Sequence, residues 1–538
     1  FADFKYNSDI YDRDAMVYVG ANDGALHAFQ LKDGVEKWRF YPDAVKSKLA
    51  NAEYDPGQNM CSSSYCHQFI LDGSPKLADI YVDSSMGWRT ILTTGLGKGG
   101  NAFFSLDVTH GEDFDAANEV KSKLLWEFKD NELGLATSDP VTARVSNSTT
   151  ATEWVTFFGS GELEKTAEQA NKEAYLFAVK SYDGSNAWVD SDGKGVNKVK
   201  LSSTPLIDDK TSSPLVVETH NDDYIFDKIY IGNLYGNLYR VSQIGVGEVP
   251  NSEVFFDAEN TDRSAPVSAT PADAYASDGN LWVYFGTGRY SKSVDKTSSS
   301  QQYFYGLYDK NASMTEYKKN HLAWRKADIV EAYALDADGN KVDFDGDGTP
   351  DKYRYRTISC LSSIIDGVCK LSESDKHDDL KSLDINPWGI KLYTSASGGP
   401  SERIITQPLI TSGIVFIVTF VPDGNVCEGG GESWILAVDW ETGEVMSDPV
   451  FDINGDGSID DADKTVEDEN GVKHEVVGFY LGRGRPSANI AIYGNNLAVG
   501  GTGGLLSGDA PRPNRDGLIR VNLPAQDTKL KSWQQDLK

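Results

Sequence analysis

Short apolar runs separated by turn residues recur along this chain, and the clearest copy lies between Met16 and Pro42. Its first two strands take their apolar positions from Val17, Val19, Leu26, Ala28 and Phe29. Asn22-Asp23-Gly24 stands between them, and these residues tolerate the positive φ that a tight hairpin needs. After Gly34 a third strand carries Trp38. A unit this small cannot bury its own apolar face, so we expect it to recur and stack.

Six weaker copies follow, each an apolar run, a turn and a second, aromatic-rich run. They are 91–95 with 102–107, 154–159 with 174–179, 228–232 with 236–241, 281–286 with 303–308, 414–418 with 433–439, and 496–500 with 517–521. Long helical periodicity is almost absent, and residues 166–171 form the one short helical candidate. Radial repetition of this kind indicates an all-β chain and favours a seven-bladed β-propeller. Two stacked β-sandwiches are the alternative.

The copies are spaced more widely than the 40–50 residues usual for propeller blades. We therefore predict one β-propeller domain over residues 1–538, with long loop insertions. The first insertion covers 307–405 and contains an acidic loop and a cysteine pair. The second covers 450–475, between the last two blades, and contains another acidic loop.

The chain has 81 acidic and 51 basic residues, for a formal net charge of −30. This charge repels phosphates and excludes nucleic acid as a partner. It suits divalent cations, and equally plain solubility. No apolar run is long enough for a membrane span. The chain starts at Phe1 without a signal peptide, so we expect a processed protein, or part of a precursor whose N-terminal segment is a further partner.

The five cysteines form two close pairs and one remainder. Cys61 with Cys66 and Cys360 with Cys369 are spaced as local disulfides, which belong to an oxidising compartment. Cys427 is left over.

The most specific candidate binding site in the sequence is an acidic loop, DINGDGSIDDAD, at 452–463. Alternate residues point inward in such loops and supply the six to eight oxygens that Ca²⁺ prefers. The predicted ligands are Asp452, Asn454, Asp456, the Ser458 carbonyl, Asp460 (directly or through water) and Asp463. Gly457 stands where the loop turns sharply, and Ile459 is expected to anchor it to the core. The alternative is a solvated acidic loop.

Two further loops have related patterns. In DFDGDGTPD the predicted calcium ligands are Asp343, Asp345, Asp347, the Thr349 carbonyl and Asp351. Arg354 takes the twelfth position, so a bidentate carboxylate must come from elsewhere. In THNDDYIFD, Asn221, Asp223 and Asp227 keep the spacing, but Thr219 replaces the first carboxylate and lowers the expected affinity. An ordinary polar hairpin turn is the alternative there.

Other motifs point away from catalysis. CSSSYCH at 61–67 loosely matches a haem-attachment spacing, but a disulfide beside His67 explains it better. The sequence has no nucleophile elbow, Walker loop or dinucleotide fingerprint, and its abundant carboxylates single out no acid–base pair. We therefore predict no catalytic residues.

Several motifs, in order, resemble the PilY-type tip proteins of type IV pili. They are VGANDGALHAF from Val19, HQFILDGSP from His67, TTGLGKGGNAFFSLDVT from Thr93, IYIGNLYGNLYRV from Ile229 and CEGGGESWILAVD from Cys427. The resemblance covers nearly the whole chain. It implies a modified, quinoprotein-like propeller that forms the C-terminal half of a larger protein. The family's usual calcium position falls on the degenerate loop at 219–227. Two alternatives follow: calcium control has moved to the other two loops, or the site at 219–227 is a weak one.

The resemblance implies a non-enzymatic, calcium-binding module at the pilus tip, outside the cell after export through the periplasm. Its expected roles are pilus assembly, control of extension and retraction, and surface adhesion. The expected partners are minor pilins and host or abiotic surface ligands. A quinone-dependent periplasmic dehydrogenase is the first alternative, although this chain lacks the vicinal cysteines typical of that class. A haem-bearing electron-transfer protein is the second, and it rests on CSSSYCH alone.

Overall fold

The computed structural model describes residues 13–50, 69–114, 123–147, 151–162, 173–201, 211–218, 224–258, 264–276, 279, 281–309, 317–365, 368–371, 386–395, 398–423, 430–486, 489–501 and 518–523. The chain divides into two compact units, 1–256 and 257–538. The extent of a single domain over 1–538 stays a prediction. Among the described residues, no helix combines the length and apolar character that crossing a membrane requires.

The hairpin predicted from the first repeat forms as expected. Strands β1 (Met16–Gly20), β2 (Leu26–Gln30) and β3 (Glu36–Phe40) pair antiparallel in that order. Gly24 has φ 90° in the turn, which explains the need for glycine. Trp38 is buried, and its indole N–H donates to the Gly111 carbonyl at 2.6 Å. A short 3-10 helix (Asp43–Val45) and helix α1 (Lys46–Ala50) follow.

The rest of unit 1–256 is built from short strands. They are β4 (Lys76–Tyr81), β5 (Trp88–Gly95), β6 (Phe103–Asp107), β7 (Lys123–Phe128), β8 (Val141–Asn147), β9 (Ala151–Gly159), β10 (Tyr175–Lys180), β11 (Trp188–Val189), β12 (Gly195–Val196), β13 (Lys198–Lys200), β14 (Leu215–Glu218), β15 (Phe226–Gly232), β16 (Leu238–Ser242), β17 (Gly247–Glu248) and β18 (Asn251–Asp257). Three four-strand antiparallel groups result: β4-β5-β6-β7, β8-β9-β10-β13 and β14-β15-β16-β18. Their middle strands are the apolar runs found in the sequence, because those strands are covered on both faces.

Unit 257–538 contains the remaining strands. They are β19 (Ala272–Tyr275), β20 (Leu281–Gly286), β21 (Tyr303–Asp309), β22 (Tyr317–Lys318), β23 (Ala323–Ala334), β24 (Lys352–Cys360), β25 (Ser363–Ile365), β26 (Val368–Lys370), β27 (Trp388–Lys391), β28 (Leu409–Thr411), β29 (Ile414–Pro422), β30 (Gly431–Asp439), β31 (Thr465–Glu467), β32 (Lys473–Glu475), β33 (Gly478–Arg483), β34 (Ala491–Tyr493), β35 (Asn496–Ala498) and β36 (Leu518–Arg520). Among the described residues of this unit, 3-10 helices lie at Ser293–Lys296, Lys319–His321 and Asp461–Asp463.

A large sheet dominates this unit, in the order β19-β20-β21-β27-β23-β24-β33-β30-β29-β28. The run pairs predicted at 281–308 and 414–439 are its pairs β20-β21 and β29-β30, and β34-β35-β36 forms a separate sheet around the last predicted pair. The predicted insertion 307–405 is therefore partly sheet, since β27 pairs with β21 and β23-β24 continue the sheet. The predicted insertion 450–475 lies between β30 and β33, which are neighbouring strands of the large sheet.

Cys360 and Cys369 are joined by a disulfide that closes the β25-β26 hairpin. The ion pair of Arg325 and Glu444, 3.5 Å apart with Arg325 buried and Glu444 partly exposed, holds the hairpin to the sheet. The Arg325 guanidinium donates to the Cys369 carbonyl at 2.9 Å, and Glu444 accepts from the Cys369 N–H at 2.5 Å. Leu361 and Ile364 stay exposed beside this anchor.

His27 on β2 gives unit 1–256 a pH-dependent contact. Burial lowers the pKa of His27, but hydrogen bonds to Glu36 at 2.7 Å and Asp23 at 3.1 Å outweigh this effect and raise the pKa above 6.5. Protonated His27 therefore contributes stability that is fully present below the unfolded pKa and is lost as pH rises through the folded pKa. We expect His27→Gln to lower the melting temperature clearly near pH 5.5 and little near pH 8.5. Equal losses at both pH values in parallel thermal melts would contradict this contact.

Candidate metal centre

Phe451 and Ile453, the residues on either side of Asp452, anchor the loop 452–463 to the core of unit 257–538. Phe451 and Ile453 are 3% and 1% exposed and belong to one apolar cluster with β23, β24, β29, β30 and β33 residues. Ile459, expected from the sequence to be the anchor, is only half-buried and lies outside that cluster. The anchor therefore stands at the start of the loop, and it draws Asp452 inward.

Backbone N–H groups wrap the Asp452 carboxylate. Its two oxygens accept from Gly455 N at 2.7 Å and Gly457 N at 3.1 Å. Both glycines have positive φ, 76° and 89°, a conformation that folds the loop back over the carboxylate. At the end of the loop, Asp463 accepts from Ile453 N at 2.7 Å and from Asp460 N at 3.0 Å. The first and last carboxylates are thereby fixed against the same turn.

Burial sets the electrostatics of this loop. Asp452, Asn454 and Asp463 are each no more than 4% exposed. Burial raises the pKa of Asp463 to about 6, although three backbone N–H bonds oppose the rise and the Asp452 charge adds to it. Burial likewise raises the pKa of Asp452. Burial disfavours the charge of both carboxylates, and Asp452 adds to this effect at Asp463, so a hard divalent cation would relieve an electrostatic penalty here.

The loop 343–351, between β23 and β24, repeats the same hydrogen-bond plan. The Asp343 oxygens accept from Gly346 N at 2.8 Å and Gly348 N at 2.7 Å. Asp351 accepts from Phe344 N at 2.8 Å, as Asp463 does from the residue after Asp452. Carboxylate oxygens of Asp343, Asp345 and Asp351 lie within 4.8 Å of one another. Three oxygens at this spacing could hold a cation.

The two loops differ in their exposure. Asp343 is partly exposed, and hydrogen bonds from Gly348 and Gly346 N–H groups lower its pKa, so its charged form is favoured without a cation. Asp345 is exposed. In the loop 452–463 the first and last carboxylates are buried, so a cation would remove the greater electrostatic penalty there.

Other predicted ligands make local turn contacts. Asp347 accepts from Thr349 N at 2.8 Å, Asp456 accepts from Ser458 N at 2.7 Å, and Asp460 accepts from Ala462 N at 2.9 Å. The side-chain carbonyl oxygen of Asn454 accepts from Asp456 N at 3.0 Å. These contacts fix the turn but do not gather the oxygens of every predicted ligand into one cluster.

Of the loop 219–227, Thr219, Asn221 and Asp223 lie outside the described residues. Asp227 lies on β15, where its backbone carbonyl accepts from Gln243 N at 3.0 Å. Cys61, Cys66, His67 and Cys427 also lie outside the described residues.

Sequence reasoning overlooked a buried ion pair in the same unit. Arg356 on β24 and Glu402 are both fully buried and paired at 2.8 Å, and Tyr355, the residue before Arg356, is also fully buried. The alternating Tyr-Arg-Tyr-Arg run at 353–356 was the available signal, because arginine on the inward face of an apolar strand needs a buried partner.

Known proteins resemble this chain over most of its length. The family model described as the PilY1 β-propeller domain matches residues 4–323. A type IV pilus biogenesis factor PilY1 homologue from Xylella fastidiosa is 29% identical over 453 residues, 83% of this chain and 30% of that protein. Type IV pilus biogenesis factor PilY1 from Pseudomonas aeruginosa is 26% identical over 497 residues, 86% of this chain and 38% of that protein. The chain thus spans only a minor part of either relative's length.

A solved structure supports the same fold. The crystal structure of the Pseudomonas aeruginosa PilY1 C-terminal domain aligns with a TM-score of 0.65 at 22% identity, over 97% of this chain and 96% of that one. It confirms the predicted all-β, propeller-type fold with loop insertions. With more than half of the residues matched by the family model, the chain belongs to the PilY1 β-propeller family.

Proposed function

We propose that this chain is a non-enzymatic, calcium-ordered module of type IV pilus biogenesis. It acts at the pilus tip, outside the cell, where it binds minor pilins and surface ligands and supports assembly, extension–retraction control and adhesion. The observation that carries the calcium proposal is the hydrogen-bond pattern shared by the loops 343–351 and 452–463, in which two glycine N–H groups donate to the first aspartate of each loop. The relatives named as pilus biogenesis factors support the pilus part.

Calcium would act through the buried carboxylates. Without a cation, the charge of Asp452 opposes the ionisation of Asp463, and both carboxylates are almost fully buried. A bound Ca²⁺ neutralises that charge and links the start of the loop to its end, which favours one loop conformation over others. A pilin that recognises the ordered loop would then bind in proportion to calcium occupancy.

Calcium binding is testable on chelator-stripped protein by isothermal titration calorimetry and thermal melts. We expect binding at both loops and, at 100 times Kd, a stabilisation of about 2.7 kcal/mol per site. Asp452→Asn together with Asp456→Asn should remove one site and its share of the stabilisation. The matched control is Asp190→Asn. Asp190 also closes an acidic turn, accepting from Lys194 N at 2.9 Å, but belongs to unit 1–256 and to neither loop.

The calcium proposal fails if calcium titrated into the stripped wild-type protein gives no heat of binding and if calcium leaves the melting temperature unchanged. The pilus role is tested separately. The full-length protein carrying both loops inactivated should support fewer surface pili than wild type at equal protein level. Unchanged piliation, twitching and attachment would show that calcium at these loops does not serve the pilus.

A further inference from the structure

The two acidic loops meet at one end of strand β23. Loop 343–351 leaves β23 through Val342, whose N–H donates to the Ala334 carbonyl at 3.0 Å. Strand β31, which directly follows loop 452–463, pairs with the same strand end, Tyr333 opposite Glu467 and Ala334 opposite Val466. A shift of this strand end therefore moves both loops.

Side chains add direct links across the junction. The Asn454 side-chain amide of the second loop donates to the Leu335 carbonyl, just beyond β23, at 3.3 Å. Lys341, which precedes the first loop, pairs with Glu467 at 3.2 Å, and Lys352, which follows that loop, pairs with Glu469 at 2.6 Å. Residues that follow loop 452–463 therefore hold both ends of loop 343–351, and a residue that precedes loop 343–351 holds Asn454 of loop 452–463.

The charges of both loops act on one buried side chain, that of Tyr355. Tyr355 is fully buried, and its hydroxyl has no hydrogen-bond partner among the residues that the structure describes. Burial is the main cause that raises the pKa of Tyr355, and the charges of Tyr353, Asp463 and Asp351 add to it. Asp463 and Asp351 are the last carboxylates of the two loops, so both loops border the same buried side chain.

We propose that the two loops bind calcium as one positively coupled pair, in which the ion at either loop fixes the β23–β31 junction and raises the affinity of the other loop. This inference rests on the proposed calcium function. Ordering a shared element once gives positive cooperativity, because the second ion no longer bears that entropic cost. Repulsion between the two ions acts in the opposite direction, but the exposed side chains of loop 343–351 leave it screened by solvent and salt.

The test is a reciprocal pair of calcium titrations on the intact chain. Asp343→Asn with Asp345→Asn silences the first loop, and Asp452→Asn with Asp456→Asn silences the second. We expect each remaining loop to bind calcium at least fivefold more weakly than the same loop does in wild-type protein whose other loop is filled. Linkage requires the two factors to be equal. Asp190→Asn, which lies in unit 1–256 and alters neither loop, should leave the wild-type isotherm and its steepness unchanged.

The outcomes separate the two proposals. If neither loop binds calcium in the wild-type chain, the calcium function fails. If both bind, but silencing one leaves the other's affinity unchanged or tighter, only the coupling is overturned. Because Asp343 and Asp345 are not buried, their asparagine variants should fold, and circular dichroism with a thermal melt confirms that before titration.

Discussion

Glu402→Gln is expected to lower the free energy of unfolding by about 3–5 kcal/mol, because it leaves the Arg356 charge buried without a counterion. Arg356 and Glu402 are both 0% exposed, and their side chains pair at 2.8 Å. Glu402 also accepts from Tyr393 N at 2.7 Å and from the Thr419 hydroxyl. Glutamine keeps the shape and an acceptor oxygen but loses the charge, so the loss isolates the electrostatic contribution. Urea denaturation at neutral pH measures it.

Two comparisons make this prediction specific. Removing both charges with Arg356→Met and Glu402→Gln should cost less than Glu402→Gln alone, since no uncompensated charge remains. The exposed pair of Lys326 and Asp328 is the solvent-accessible counterpart, and Asp328→Asn should cost less than about 1 kcal/mol. A Glu402→Gln protein within 1 kcal/mol of wild type, roughly the value of an exposed pair, would show that Arg356 is compensated by something other than Glu402.

The strand pairs were predictable because their determinants are local. At β1-β2 a run of alternating apolar residues stops at Asn22-Asp23-Gly24, and such turn chemistry fixes which runs become neighbours. The same logic located the central pair of every later repeat. Local sequence could not locate β23 and β24, which lie between β27 and β33 in the large sheet. Tertiary packing, not turn chemistry, determines that β23 pairs with β27 and β24 with β33.

The candidate site divides in the same way. Glycines at 346, 348, 455 and 457 and the carboxylate spacing are encoded within each loop, so both loops were found from sequence alone. Burial was not encoded there. Ile453 is in the core and Ile459 is not, because the direction in which the loop leaves Phe451 decides which side chain points inward. The proximity of both loops to Tyr355 depends on strand pairing across more than a hundred residues, which no local spacing reports.

Phe451→Ala is expected to lower the free energy of unfolding by about 3–5 kcal/mol, the usual result of truncating a buried aromatic side chain. Phe451 is 3% exposed and packs edge-to-face on Phe479, with ring centroids 5.2 Å apart, and on Phe416 at 6.2 Å. The cavity would be next to Asp452, so the loop loses the anchor that holds its first carboxylate. If calcium binds this loop, its affinity should fall together with stability.

Ile459→Ala separates anchoring from loop composition. Ile459 lies inside the same loop but outside the apolar cluster, so its truncation should cost no more than about 1 kcal/mol, as for a partly exposed residue. Calcium titration of both variants under conditions where Phe451→Ala remains folded then compares a lost anchor with a lost loop side chain. Weaker binding in Phe451→Ala alone would mean that the core positions Asp452. Equal binding in both would mean that the glycine turns suffice to hold the carboxylates, and that the core merely supports the strands on either side.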